Sequence, residues 1–545
     1  MSLLLRQTPL LLVSLLACSC ASSNRAVDDP TKPTLEVLSP TRGTVSKDPS
    51  IIVTGTASDS ESGMASVVVN GVEANLDGDQ FRASIELGPG TNLIKTVARD
   101  NSGNETTDIR ATLFGEFASP GPIDNAFAVR LGTNGLATIG QTAATVLKTM
   151  DYASAFAAIN PVLNRGGNCL GAKGDVTSID FSNIAIEIHP TPGSLALTLT
   201  VDDLAVGMHI NFDVACIGGS RNLVTTAHQV QMTAAFEIGV SGGEIILDLT
   251  TAEVSLVDVD LGIGGFPTAI IKLIVGNLED AIADALTEVL ATQLEPELEA
   301  ALGQLTSDRE AVILGQALTL SIKPSAISVD TNGLELTATS NVTGGPATTG
   351  YVSSPRPRPI LSGDFSAALA DDTLNQLLGT LWVSGALSRT ISLQGEAGTD
   401  LGGGIADAIE LDALLPPSVG FDGDGAARIE IGDLIVRLSR EGQAVTELAV
   451  AATLHLSIGS VGNRLTLTAA KPELVLHRLD DDGFLTERDI ELLGVLLSSI
   501  LEGDLGTLVG QIPLPAFAGT SITQLDSVAS GGYLTLDVAF GAEGE

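Results

Sequence analysis

A chain of 545 residues is too long for one hydrophobic core and calls for two to four domains. A hydrophobic fraction of 44% supports large cores and excludes a disordered chain, while only 3% aromatics leaves those cores to Leu, Ile, Val and Ala. A net charge of −39 excludes nucleic acid as a partner and excludes docking on anionic headgroups by bulk charge; it describes a soluble, self-repelling surface.

Residues 1–17, MSLLLRQTPLLLVSLLA, combine one Arg, a short apolar run and a small residue before Cys18. That is an export signal, too short to span a bilayer. Leu15-Leu16-Ala17-Cys18 resembles the bacterial lipobox, which implies cleavage before Cys18 and acylation of it; the alternative is an ordinary signal cut near Ala21. Ser19 follows the Cys, and by resemblance to lipoproteins of double-membraned bacteria this implies the outer membrane. Residues 18–33 are a polar, Pro-bearing tether. In an exported, oxidising compartment Cys169 and Cys216 are free to bridge. With neither a CxxC pair nor a Cys/His cluster in the sequence, no metal and no cofactor is expected.

Residues 34–115 carry short apolar runs, Ile51-Ile52-Val53 and Val67-Val68-Val69 among them, separated by Asn70-Gly71, Asp77-Gly78 and Asn101–Asn104. This is the spacing of an all-β sandwich. VTGTASDSESGMASVVVNG and LGPGTNLIKTVARDNSGN resemble bacterial immunoglobulin-like domains, which implies a spacer or weakly adhesive unit. The acids at Asp59–Glu61 read as solvated loop acids, with Ca²⁺ as the alternative.

The next region, 116–343, opens with a strand (Phe127, Val129, Leu131) that turns at Thr133-Asn134-Gly135 into a helix with Leu136, Ile139, Ala143, Val146 and Leu147 on one face. From Ser178 the alternation has period two: Ile184–Ile188, Leu195–Val201, Leu204–Val214, Val230–Val240 and Leu247–Ile263 read as an antiparallel meander with one wet and one apolar face. Phe266–Leu302 then reads as one long helix, entered through Gly264-Gly265-Phe266-Pro267, with Ile270, Ile274, Leu278, Ile282, Leu286, Leu290, Leu294 and Leu298 four residues apart. Such a helix requires a sheet to cover it.

Residues 344–360 hold Pro355, Pro357 and Pro359 and form an extended linker. Past it, residues 361–545 repeat the order of the first half: a short strand (Phe365, Ala367), a helix (Leu374, Leu377, Leu378, Leu381), alternating strands, a second apolar helix at Thr486–Leu501 and a closing strand (Leu534, Leu536, Val538, Phe540). Two structurally related domains of α+β class follow.

Five segments in this order, VRLGTNGLATIGQTAATVL, the 266–302 helix, the Pro-rich linker, LADDTLNQLLGTLWVSGAL and the close IPLPAFAGTSITQLDSVASGGYLTLDVAF, resemble the tubular lipid-binding proteins typified by the bactericidal/permeability-increasing protein. The resemblance spans about residues 126–540. It implies a boomerang of two tandem domains, each a long helix wrapped by a twisted antiparallel sheet, holding acyl chains between helix and sheet. It also implies one disulfide in the first domain, for which Cys169 and Cys216 are the candidates, although both precede the long helix that the family's bridge reaches into. The basic tips of the lipopolysaccharide-binding members have no counterpart here, where the corresponding loops hold only Arg221.

The expected function is therefore binding or transfer of a lipid or other amphipathic ligand by a membrane-anchored, non-enzymatic protein. Leu136, Ile139, Val146, Ile274, Leu278 and Ile282 are the candidate groove contacts. Gly239-Val-Ser-Gly-Gly243 lacks the spacing of a nucleophile elbow, and the five histidines are scattered. The alternative is a surface structural or adhesive lipoprotein without lipid cargo.

Overall fold

A computed structural model describes residues 29–542 except 150, 168, 276, 278–279, 281–283, 285–286, 289–295, 297–298, 300–301, 304–305, 307, 346–349, 354–357, 362, 394–405, 422–426, 462–463, 481–484 and 511–519. For some residues inside helices and strands, Val146 among them, only the backbone is described. The chain divides into two compact units. One takes in the described residues up to Pro40, with Ile52–Ile85 and Lys95–Asp108; the other takes in Thr41–Ile51, Glu86–Ile94 and everything from Ile109 on.

Residues 34–114 contribute a four-stranded and a five-stranded sheet, as the short, regularly spaced runs require. In the smaller unit Val37, Val53, Val67, Val69, Phe81 and Ile85 point inward on alternate positions. Asn70, in the turn Asn70-Gly71, takes a left-handed φ of 47°, which Asn tolerates better than most residues.

The larger unit is built from three main sheets. A six-stranded sheet belongs to the first half, with strands Leu163–Gly167, Leu170–Asp180, Asn183–Thr191, Ser194–Val214, Ile217–Ser241 and Glu244–Asp260. A seven-stranded sheet, from Arg389–Ser392 to Glu473–Arg478, belongs to the second half. The third, also seven-stranded, is shared. Strands Arg309–Ile313, Gln316–Asp330, Gly333–Thr343 and Ile123–Gly132 of the first half continue into Phe365–Ala370, Tyr533–Ala542 and Thr520–Ser530 of the second.

Among the described residues, five helices with defined bounds pack on these sheets: α1 (Thr133–Lys148), α2 (Tyr152–Ile159), α3 (Thr268–Val275), α4 (Asp371–Val383) and α5 (Glu487–Gly510). Both halves open alike, with a strand running straight into a helix: Ile123–Gly132 into α1, and Phe365–Ala370 into α4. The expected loop at Thr133–Gly135 is absent, because these residues form the first turn of α1. Helix α2 and the strands Leu163–Gly167 and Leu170–Asp180 precede the point where the sequence alternation becomes regular. Within the expected 266–302 helix, α3 and the described residues Asp280, Asp284, Thr287, Glu288, Pro296, Glu299 and Leu302 are helical, whereas Phe266 and Pro267 precede the helix and Asn277 forms a turn.

Two runs expected as separate strands, Leu195–Val201 and Leu204–Val214, are one strand of 21 residues. The break read at Asp202-Asp203 is a crease. Asp203 has a left-handed φ of 53°, and Asp258, two strands away, has one of 52°. The register places both in line with His228, since Asp202 pairs with Gln229 and Leu204 with Ala227, while Gln229 pairs with Val257 and Ala227 with Val259. On each strand the inward positions change parity there: Leu199 and Val201 give way to Leu204 and Val206, and Thr225 and Ala227 to Val230 and Met232. One extra residue on neighbouring strands turns the sheet while keeping its apolar face inward. Ser182 Oγ donates to Asp203 Oδ2 at 2.8 Å, and His228 Nδ1 lies 3.2 Å from Asp203 Oδ1. These bonds, led by that from Ser182, hold the Asp203 carboxyl below the usual carboxylate range. Asp433 (φ 43°) sits at a like register shift in the second half.

Candidate functional site

On the arm of the first-half sheet that carries the Ser194–Val201 segment, cross-strand pairing gathers an apolar surface. Ile188 stands opposite Leu197, Leu195 opposite Phe236, and Ile238 opposite Leu247. Helix α1 lies over it. Two glycines set its approach. A Cβ on Gly140 would stand 2.5 Å from the carbonyl oxygen of Ile186, and one on Gly135 would stand 2.5 Å from that of Asp364. Only residues without a side chain permit backbone-to-backbone contact this close.

Between α1 and the sheet runs a crevice lined by Leu136, Ile139, Ile188, Leu195, Leu197, Phe236, Leu247 and Leu302. Every one of these residues is apolar. Its free space is about 10 Å³, room for roughly one water molecule. Glu299 accepts the backbone N–H of Leu247 at 2.8 Å and ties the helical segment before Leu302 to the edge of the sheet.

Two of the expected groove residues, Leu136 and Ile139, line the crevice. Ile274 is fully buried on α3, which packs against strands Leu170–Asp180 and Ser194–Val214; it belongs to the same core but does not line the crevice. Val146 lies on α1, where its side chain is not described, and Leu278 and Ile282 lie outside the described residues, as does Cys18. Cys169 and Cys216 are joined in a disulfide, which links the start of one strand of the hairpin region to the turn after Val214. The lining residues Ile188, Leu195, Leu197, Phe236 and Leu247 all occupy inward positions of the sequence alternation. The alternation names the face; only the register names which of its members meet.

The opening helix of the second half is held by different contacts. Helix α4 is buried from Asp371 to Leu381 and is held by polar bonds. Asn375 Oδ1 accepts the N–H of Val419 at 2.7 Å, and Gln376 Oε1 that of Val342 at 2.7 Å. Gln376 Nε2 donates to the carbonyl of Gly121 at 2.8 Å, and Trp382 Nε1 to that of Ala413 at 2.7 Å. Buried amides with satisfied partners fix a helix in one position, whereas apolar contacts of the kind lining the crevice are non-directional.

The family model of glucodextranase domain B matches residues 33–116, the region of the two N-terminal sheets. A search of curated proteins finds no match. Among solved structures, the crystal structure of lipopolysaccharide binding protein aligns over 77% of this chain and all of its own, with 14% identity and a TM-score of 0.45. P47 of Clostridium botulinum E1 aligns over the same shares, with 8% identity and a TM-score of 0.22. The fold described above rests on the sheet order and register themselves.

Proposed function

We propose that this is a lipid-binding protein of the tubular, bactericidal/permeability-increasing-like kind, which takes an acyl chain between α1 and the first-half sheet. The observation that carries the reading is the crevice at Leu136 and Ile139, eight apolar side chains between a helix and a creased sheet. Its free space of about 10 Å³ is too small for an acyl chain, so loading requires α1 to move off the sheet. A tail of roughly 15 methylenes gains about 12 kcal/mol gross on leaving water, before ordering costs, enough to offset parting apolar contacts of that size. An apolar groove needs no catalytic groups, and the reading is non-enzymatic, without cofactor or metal in the groove.

The protein is anchored by acylation of Cys18 and works at the outer membrane, with the polar tether lifting the folded part from the bilayer. Incorporation of labelled palmitate, lost in Cys18→Ala, tests the anchor. Uptake of a fluorescent fatty acid or phospholipid by the purified chain tests the groove: saturable uptake supports it, and none would overturn it.

The small volume of the crevice favours one other reading. If α1 never leaves the sheet, the eight residues are plain core, and the protein is a surface structural or adhesive lipoprotein.

A further inference from the structure

Three carboxylates from separate parts of the smaller unit meet. Asp29 precedes the strand Thr34–Ser39, Asp59 follows the strand Ser50–Ser58, and Asp100 ends the strand Gly90–Asp100. One oxygen from each lies within 4.8 Å of the others. Among the described residues none of the three stands in an ion pair with a basic side chain.

Each carboxylate is held in place by one or more protein donors. Asp59 Oδ1 accepts the N–H groups of Glu61 (3.1 Å), Ser62 (2.6 Å) and Gly63 (2.9 Å) and the hydroxyl of Ser62. Asp100 accepts the N–H and the Nδ2 of Asn104, both at 2.7 Å. Asp29 Oδ1 accepts the N–H and hydroxyl of Thr31, and its carbonyl accepts Asn104 Nδ2 at 2.7 Å. One atom is left over. Asp29 Oδ2 is sealed from solvent and has no hydrogen-bond partner, on a residue 6% exposed; Asp100 is 1% exposed. An unpartnered carboxylate oxygen, placed beside two more carboxylates, is unfavourable unless something positive meets it.

We propose that Asp29, Asp59 and Asp100 form a Ca²⁺ site. Two oxygens on opposite sides of a Ca²⁺ ion at about 2.4 Å stand about 4.8 Å apart, the limit within which these three fall. The donors are all hard oxygens, which suits Ca²⁺ and disfavours zinc and the softer metals. Mg²⁺ keeps several waters, and the sealed Asp29 and Asp100 oxygens leave little room for them. Hydrogen bonding, first from the Thr31 hydroxyl, holds Asp29 below the usual carboxylate range. At Asp100 burial pushes upward, but the bonds from Asn104 together with those from the Gly103 and Ser102 backbone outweigh it, and the net shift is downward. Asp29 lies near the end of the tether, so bound Ca²⁺ fixes the root of the tether to the module.

Titration calorimetry with CaCl₂ on the chelator-stripped full chain tests this. One site is expected, with Kd below about 1 mM, the weak end for extracellular modules. Asp29→Asn and Asp59→Asn should each weaken it at least tenfold, and Asp77→Asn, an exposed acid of the same module, should leave it unchanged. Asp29 lies outside every strand, so its substitution removes no ladder bond, and circular dichroism checks the fold of both variants. Absence of saturable Ca²⁺ uptake by the wild type, equal weak uptake by all variants, or displacement by equimolar Mg²⁺ would overturn the proposal.

Discussion

Val129 and Ala367 face each other across the antiparallel pairing that joins the two halves of the larger unit. On either side of them the pairing is symmetric in kind, with Phe127 opposite Leu369 and Leu131 opposite Phe365. Their outer neighbours match too: Val129 pairs with Leu336 of the first half, and Ala367 with Leu536 of the second. Val129 is fully buried and Ala367 nearly so, in one core that draws on both halves. Extra volume at this point should be felt in both. Ala367→Leu should cost about 1–3 kcal/mol by overpacking, and calorimetry should show the transitions of both halves falling together.

The approach of α1 to the sheet depends on Gly140. In Gly140→Val the new side chain would meet the Ile186 carbonyl, and a backbone neighbour cannot swing away. The expected result is a loss of about 1–3 kcal/mol in urea unfolding, together with a change in lipid uptake, because the helix is lifted where the crevice lies.

Substitutions in α4 should separate stability from cargo. Asn375→Leu leaves the Val419 N–H and carbonyl buried without their partner. It should cost about 1–3 kcal/mol and leave fatty-acid uptake by the folded protein unchanged.

Helix α5 starts with a reciprocal cap. Thr486 Oγ1 accepts the N–H of Asp489 (3.3 Å) and donates to Asp489 Oδ2 (2.6 Å), which also accepts the N–H of Thr486 (2.9 Å). Thr486→Ala should cost about 1 kcal/mol. These bonds, the hydroxyl first, hold the Asp489 carboxyl below its usual value. A depressed folded pKa stabilises above the unfolded value, near pH 4, and the contribution is lost as the pH falls through the folded pKa. The gap between wild type and Thr486→Ala should therefore be full at pH 7 and narrow on acidification, as melting curves from pH 7 to pH 2 will show.

The disulfide closes a loop of sequence separation 47. On the chain-entropy account that is worth about 4 kcal/mol, less whatever structure the reduced chain retains. The double variant Cys169→Ser/Cys216→Ser, compared with wild type by thermal melting, should lose stability, and a reductant should bring the wild type down to the same level.

Much of this was legible from residue pattern, because period-two alternation and four-residue spacing report directly which side of an element meets the core. Phe127, Val129 and Leu131, Leu136 and Leu147 of α1, the leucines of α4 and most inward residues of the first-half meander are where the pattern places them, whereas Val257, next to the crease at Asp258, is exposed. Three things were not legible. The crease at Asp203 reads as a strand end, since a left-handed Asp and a change of parity look like a turn until the partner strands are known. The lining of the crevice depends on cross-strand register, which pairs Leu195 with Phe236 across 41 residues of chain. The buried polar hub on α4 is not visible in the residue pattern, because Asn375 and Gln376 show their partners only once the Val419 and Val342 strands are in place.

The most direct test is native mass spectrometry of the gently purified chain beside Ile139→Asp. Ile139 is only partly buried, so a carboxylate there can reach water while the crevice is shut and would meet the acyl chain only when a lipid parts α1 from the sheet. The account requires a lipid adduct on the wild type, lost or reduced at least tenfold in the variant with melting temperature nearly unchanged. A wild type that flies empty and takes up no added fatty acid or phospholipid, or a variant that loads as well as the wild type, would contradict it.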